Sequence, residues 1–208
     1  MPSLFETSEL YDLIKKVEKG ERLDRDAGIR MMKSQDILAL GSMANIVRER
    51  KNGNQTIFMV NQPFNDANVY NATMPYGNTE STEERIDRLL QLRALQDQTG
   101  QYLSFIPLAY YPEDALLLEG TMGVGTTTGL EDLKLLAISR ILLDNFDHIK
   151  VFWTMLGLKL TQVSLAFGVD VIEGNGVKKP AMVNIIQKAG RDAMERDGLG
   201  GSPCKRRP

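Results

Sequence analysis

Thiols and imidazoles are nearly absent: the 208-residue sequence holds one cysteine, Cys204, and one histidine, His148. One thiol cannot form an intrachain disulfide, and it cannot supply a Cys-rich zinc site or ligate an iron–sulfur cluster. A reducing, cytoplasmic location is expected from it. No excess of either charge exists, with 25 basic against 27 acidic residues. A dominant electrostatic grip on nucleic acid or on an anionic membrane is therefore not expected. No apolar run reaches the ~18 residues of a membrane span. The opening MPSLFETSELYD lacks the basic and apolar regions of a signal peptide. What remains is ordinary for a globular domain: 42% apolar and 25% charged residues, enough to bury a sizeable core.

The apolar pattern divides the chain. Residues 7–19 read as a helix with Ser8 as cap and Gly20 as stop. Asp24 or Asp26 opens a second helix, and Ser34 is a plausible cap for a third that runs to about residue 50. From residue 56 short apolar strands alternate with helices. The strands are TIFMVN (56–61), NATMPY (71–76), YLSFIPLAY (102–110), HIKVFWTM (148–155) and VDVIEG (169–174). The helices start at Thr82, with Glu83 and Glu84 in the first turn, and cover 130–145, 157–167 and 180–190. Alternation of this kind predicts βαβ units, a parallel sheet and an α/β fold. The expected division is a helical region (1–54), a (β/α) region (55–197) and a disordered tail (198–208).

Candidate chemistry is sparse. The loop GTMGVGTTTG (120–129) misses both the dinucleotide fingerprint and the P-loop lysine and reads as a connection. His148, at a helix-to-strand junction, reads as a hydrogen-bonded structural residue rather than a general base. Phe152 and Trp153 read as core. Ligands in parallel α/β proteins bind at the carboxyl ends of strands. That rule singles out Asn61, Asn78 and Glu80, and Asp170 and Glu173 around the last strand. Asp144 closes an apolar helix, where the dipole does not favour an acid.

Longer phrases carry a resemblance. KVEKGERLDRDAGIRMMKSQDILALGSMANIVRER (16–50), TIFMVNQPFNDANV (56–69), the stretch 71–113 and the stretch 127–174 resemble aminofutalosine synthases in family order. LQDQTG, FIPLA, LDNFDHIK and WTMLGLKLTQVSLAFG are its most specific phrases. The family belongs to the radical S-adenosylmethionine enzymes of menaquinone synthesis. The resemblance implies a (β/α) barrel, a [4Fe–4S] cluster held by CxxxCxxC, and S-adenosylmethionine. The implied reaction is addition of a 5′-deoxyadenosyl radical to 3-[(1-carboxyvinyl)oxy]benzoate. It implies substrate-binding positions at Asn78, Glu80, Arg140, Asp144, Lys150 and Asp170.

The chain departs from that pattern. Tyr70 stands where the first cluster cysteine is expected, and the middle of the family sequence is missing between residues 70 and 71. The pieces that remain resemble strands one, six, seven and eight, a partial barrel of about four parallel strands. The expectations are no cluster and no synthase activity. An aromatic or nucleoside ligand could still bind, and two copies could associate as a homodimer through exposed sheet edges. The alternatives are a non-catalytic binding or partner protein, or a non-functional deletion product.

Overall fold

The computed structural model describes residues 5–60, 70–110 and 127–196. Three helices come first: α1 (Tyr11–Lys19), α2 (Arg25–Lys33) and α3 (Ile37–Asn52). The alternating part follows as β1 (Gln55–Val60), β2 (Asn71–Tyr76), α4 (Thr82–Thr99), β3 (Ser104–Ala109), α5 (Gly129–Leu142), β4 (His148–Phe152), α6 (Trp153–Leu156), α7 (Leu158–Ser164), β5 (Val171–Gly174), α8 (Lys179–Lys188) and β6 (Asp192–Glu195). A short 3₁₀ turn, Leu165–Phe167, continues α7.

The ends of these helices follow from local chemistry. Ser81 caps α4 and exchanges bonds with Glu84 in a capping box, and Gly100 closes the helix in the left-handed region. Thr128 and Glu131 repeat the box at α5. Asp24 caps α2 through the Ala27 N–H. The third helix is capped by Asp36, not Ser34; the Ser34 hydroxyl instead accepts from the Asp36 N–H and donates to Glu9. Ser8 likewise sits outside α1, which starts at Tyr11 without a side-chain cap.

The sheet has six strands in the order β2-β3-β4-β5-β1-β6, and every pairing is parallel. The α/β class and parallel sheet agree with the sequence reading; the strand number exceeds the four expected. Five of the six match the five apolar segments read from the sequence, one more than the resemblance implies. The other, β6, lies beside β1 on the side away from β5.

One core joins the N-terminal helices to the sheet. Helix α5 is buried along almost its whole length, between α2 and α3 on one side and β3 and β4 on the other. A helix enclosed on both sides must be apolar all round, as Leu133, Leu135, Leu136, Ile138, Ile141 and Leu142 make it. Phe58, Phe105, Ile149, Val151 and Ile172 point from the strands into this core. Strand alternation then puts Ile57, Ile106, Lys150, Phe152 and Glu173 on the opposite face.

Candidate functional site

Because all strands run one way, the sheet has two distinct ends. At the amino end, Asp170 precedes β5 by one residue and is 1% exposed. Its Oδ1 accepts from the Ile149 N–H at 2.8 Å and from the Arg140 guanidinium. Its Oδ2 accepts from the Asn52 amide at 2.7 Å and meets His148 Nδ1 at 2.6 Å. Arg140, also fully buried, donates its remaining nitrogens to the carbonyls of Gly168 and Asp147. Burial pushes the Asp170 carboxyl up, but the charge of Arg140 and the His148 bond outweigh it and hold the group below the usual carboxylate range. Gly168 sits in the left-handed region at φ 90°, where a Cβ would stand 2.6 Å from Arg140 Cβ.

Three of the residues singled out from the sequence therefore lie at the amino end. Asp170 opens β5 instead of following it, and Arg140 is its buried partner. Asp144 follows α5 and pairs with Arg22, which also grips Asp97. The carboxyl-end argument does not hold for Asp170. His148 is hydrogen-bonded at a junction, and Phe152 and Trp153 are buried, in keeping with the sequence reading. Asn61 and most of the 120–129 loop fall outside the described residues, as does Cys204.

The carboxyl end carries the others. Tyr76 is the last residue of β2, and the turn 77–80 leads into α4. Glu80 accepts from the N–H groups of Gly77 at 2.5 Å and Asn78 at 3.0 Å, and pairs with Arg85. Burial raises this carboxyl; the backbone bonds and Arg85 more than reverse it, so Glu80 sits below its ordinary value. Arg85 also stacks over the Tyr76 ring. The Tyr76 hydroxyl donates to Asp132 at 2.7 Å, and burial raises the Asp132 carboxyl against that bond. A polar cavity of about 250 Å³ opens beside this network, lined by Pro75, Asn78, Thr79, Glu80, Arg88 and Tyr110 among others.

Between the two ends, Lys150 of β4 pairs with Glu173 of β5 on the face turned away from the helices. Both are nearly buried, and the Lys150 ammonium lies 5.1 Å from the Phe152 ring centroid. Above them, the Trp153 indole N–H has no hydrogen-bond partner among the described residues. Gly174 passes so close that a Cβ would stand 2.4 Å from Trp153 Nε1. Tyr76, Asp132, Arg85 and Arg88 were not singled out from the sequence. Tyr76 and Asp132 are 56 residues apart, and no local pattern links them.

The implied cluster can be tested against these donors. Three thiolates must hold a [4Fe–4S] cluster in this chemistry. The whole chain offers one, Cys204. Among the described residues no group of three His, Cys, Asp or Glu side chains is placed to hold a metal ion. The residues present do not fit the cluster.

Residues 99–198 match the CofH/MqnC C-terminal region family. Aminodeoxyfutalosine synthase of Thermus thermophilus is 43% identical over 145 residues, covering 62% of this chain and 39% of that protein. The enzyme of the same name from Streptomyces coelicolor is 40% identical over 112 residues, covering 51% and 29%. The 5-amino-6-(D-ribitylamino)uracil–L-tyrosine 4-hydroxyphenyl transferase of Methanospirillum hungatei is 32% identical over 169 residues, covering 80% and 46%. The chain thus spans less than half the length of these curated relatives. Among solved structures, the [FeFe]-hydrogenase maturase HydG from Carboxydothermus hydrogenoformans superposes with a TM-score of 0.67 at 10% identity, covering 90% of this chain and 79% of that one. That likeness concerns the fold alone. Over its carboxyl-terminal half the chain is thus similar to the CofH/MqnC C-terminal region, and over part of its length to aminodeoxyfutalosine synthases and to 4-hydroxyphenyl transferases.

Proposed function

We propose that this chain is a non-catalytic relative of the aminodeoxyfutalosine synthases, one that keeps a ligand-binding part of the barrel without the radical chemistry. The observation that carries this reading is the single thiol, where the family's cluster takes three. Cleavage of S-adenosylmethionine to a 5′-deoxyadenosyl radical belongs to the cluster, so this chain by itself does not add that radical to 3-[(1-carboxyvinyl)oxy]benzoate. Its retained role is to bind a small aromatic or nucleoside-like ligand at the carboxyl end of the sheet. Asn78 and Glu80 stand on that rim, and Lys150 with Glu173 lies on the face that would meet a ligand from below. Arg140, Asp144 and Asp170 serve this site indirectly, by fixing the strands that carry it.

Two further elements belong to the same reading. No helix among the described residues is long and apolar enough to cross a membrane, and a cytoplasmic setting would keep Cys204 reduced. Among the described residues the outer edges of β2 and β6 have no strand beside them, which supports association of two copies edge to edge.

Anaerobic reconstitution with ferrous iron and sulfide tests the central claim. The expected result is well under one iron per chain, no charge-transfer absorbance near about 400 nm and no 5′-deoxyadenosine from S-adenosylmethionine under dithionite, since ligands for a cluster are lacking. About four irons per chain, retained through gel filtration, would overturn it.

A further inference from the structure

We propose that the cavity at the carboxyl end of β2 and β3 binds the oxyanion group of a small molecule, a carboxylate or a phosphate, with Arg88 as its main contact. The proposal deepens the ligand-binding reading above and rests on it. The cavity, about 250 Å³, admits a ligand of roughly ten non-hydrogen atoms.

One arginine without an acceptor among the described residues lines this space, and a second stands behind its wall. Arg88 lines it and, among the described residues, makes no hydrogen bond or ion pair; its charge acts on Glu84 only at a distance. One turn earlier on α4, Arg85 is 8% exposed and stands behind the lining residues Glu80 and Tyr76. Its terminal nitrogens reach Glu80 and Glu131, but its buried Nε has no partner. A buried guanidinium donor left unpaired is costly, and a planar oxyanion is the group that best satisfies it.

The two glutamates of the wall do not fill that role. Glu80 already accepts from two backbone N–H groups and Arg85. Glu84 accepts from the N–H and hydroxyl of Ser81. Those bonds hold both carboxyls below their ordinary values, so both stay ionised at neutral pH. Two positive and two negative groups leave the cavity close to neutral overall. The bond to an anion is then short-range and modest, with a Kd on the order of 1 mM for a small probe.

Fluorine NMR titration of the full chain decides the matter. The probes are 4-fluorobenzoate, 4-fluorophenyl phosphate and, as a neutral control, 4-fluorobenzamide. At least one anion should saturate at about 1 mM while the amide binds about tenfold more weakly or not at all. The preferred anion distinguishes a carboxylate ligand from a phosphate ligand. Arg88→Gln, at an exposed helix position, should weaken the anion about tenfold. Arg30→Gln, whose guanidinium pairs with Asp12, should leave it unchanged. Protection of Arg88 from phenylglyoxal in the unmutated chain, read by mass spectrometry, covers the case in which the variant unfolds. No saturation by either anion, equal binding of the amide, or no change in both Arg88 readouts would overturn the proposal. A cluster-free chain that fails these tests overturns this inference and leaves the absence of radical chemistry standing.

Discussion

At the amino end of the sheet, the cluster around Asp170 is buried and matched, although Asp144 Oδ1, Asn145 Oδ1 and Arg191 Nε at the same end have no partner among the described residues. Asp170 takes four donors, Arg140 gives to three acceptors, and Asn52 and His148 complete the cluster. At the carboxyl end, some polar groups are buried and left over: among the described residues the Trp153 N–H and Arg85 Nε have no partner, and a cavity opens in front of the Glu80 and Tyr76 that Arg85 supports. Both ends contain arginines and carboxylates, so composition does not separate them. What separates the Asp170 cluster from the cavity wall is satisfaction. A saturated network ties strands together and rigidifies a fold, whereas surplus donors at a strand end can meet something from outside.

The largest test of that contrast is at Asp170. Replacing it with alanine strips Arg140 of its counter-charge in a dry site and leaves the Ile149 N–H unpaired. A loss of about 3–5 kcal/mol in urea unfolding is expected, with no specific effect on anion binding in whatever fraction stays folded. Its pH behaviour follows from the lowered carboxyl. The stabilisation by Asp170 is fully present above the unfolded carboxylate value, about 3.9. It disappears as pH falls through the lower folded value. A loss below 1 kcal/mol on removing Asp170 would place the network at the surface, contrary to its burial.

Lys150 and Glu173 stand between the two regimes and can assign the pair to one or the other. Lys150→Met alone should cost about 3 kcal/mol, since it leaves Glu173 charged and nearly buried. The double change to Lys150→Met and Glu173→Met should recover most of that, because a buried ion pair adds little beyond an apolar pair of similar volume. If instead the double variant is as unstable as the single one, the pair is part of the fold like Asp170, and a ligand role for Lys150 lapses.

Much of the architecture could be read in the chain, and the failures have physical causes. Strand β2 and the boxes at α4 and α5 are written locally, in NATMPY, Ser81–Glu84 and Thr128–Glu131. Strand β6 was not, because Asp192–Glu195 has no buried alternation of its own. Its conformation comes from pairing with Gln55–Phe58, a tertiary effect. Trp153–Leu156 looked like the rest of β4, yet the chain coils into a helical turn there and reverses at Gly157, φ 80°. The misplacement of Asp170 is a matter of two residues. A strand taken to begin at 169 includes it, while the observed strand begins at 171 and leaves it at the opening. Pairs such as Tyr76–Asp132 and Lys150–Glu173 exist only after the strands are aligned, so no spacing announces them.

The smallest expected effect reverses the sign found at Asp170. Burial raises the Asp132 carboxyl against its bond from Tyr76, so the folded chain favours the charged form of this group less than the unfolded chain does. For a raised carboxyl, stability is fully present below the unfolded value of about 3.9 and declines as pH rises through the folded value. Asp132→Asn removes the charge and keeps an oxygen to accept the Tyr76 hydroxyl. It should therefore raise the Tm at pH 7 by about 1–3 °C and leave it unchanged near pH 3. Thermal melts of the two chains across that range read this directly, and the difference should grow with pH. Near Asp170 a carboxylate is stabilised as an anion by a complete set of partners. Near Tyr76 one is held in the fold against its own preference for water, which is the expected condition of a group kept for something other than stability. A destabilised Asp132→Asn at pH 7 would mean that Asp132 is matched as fully as Asp170, and that the two ends of the sheet do not differ in kind.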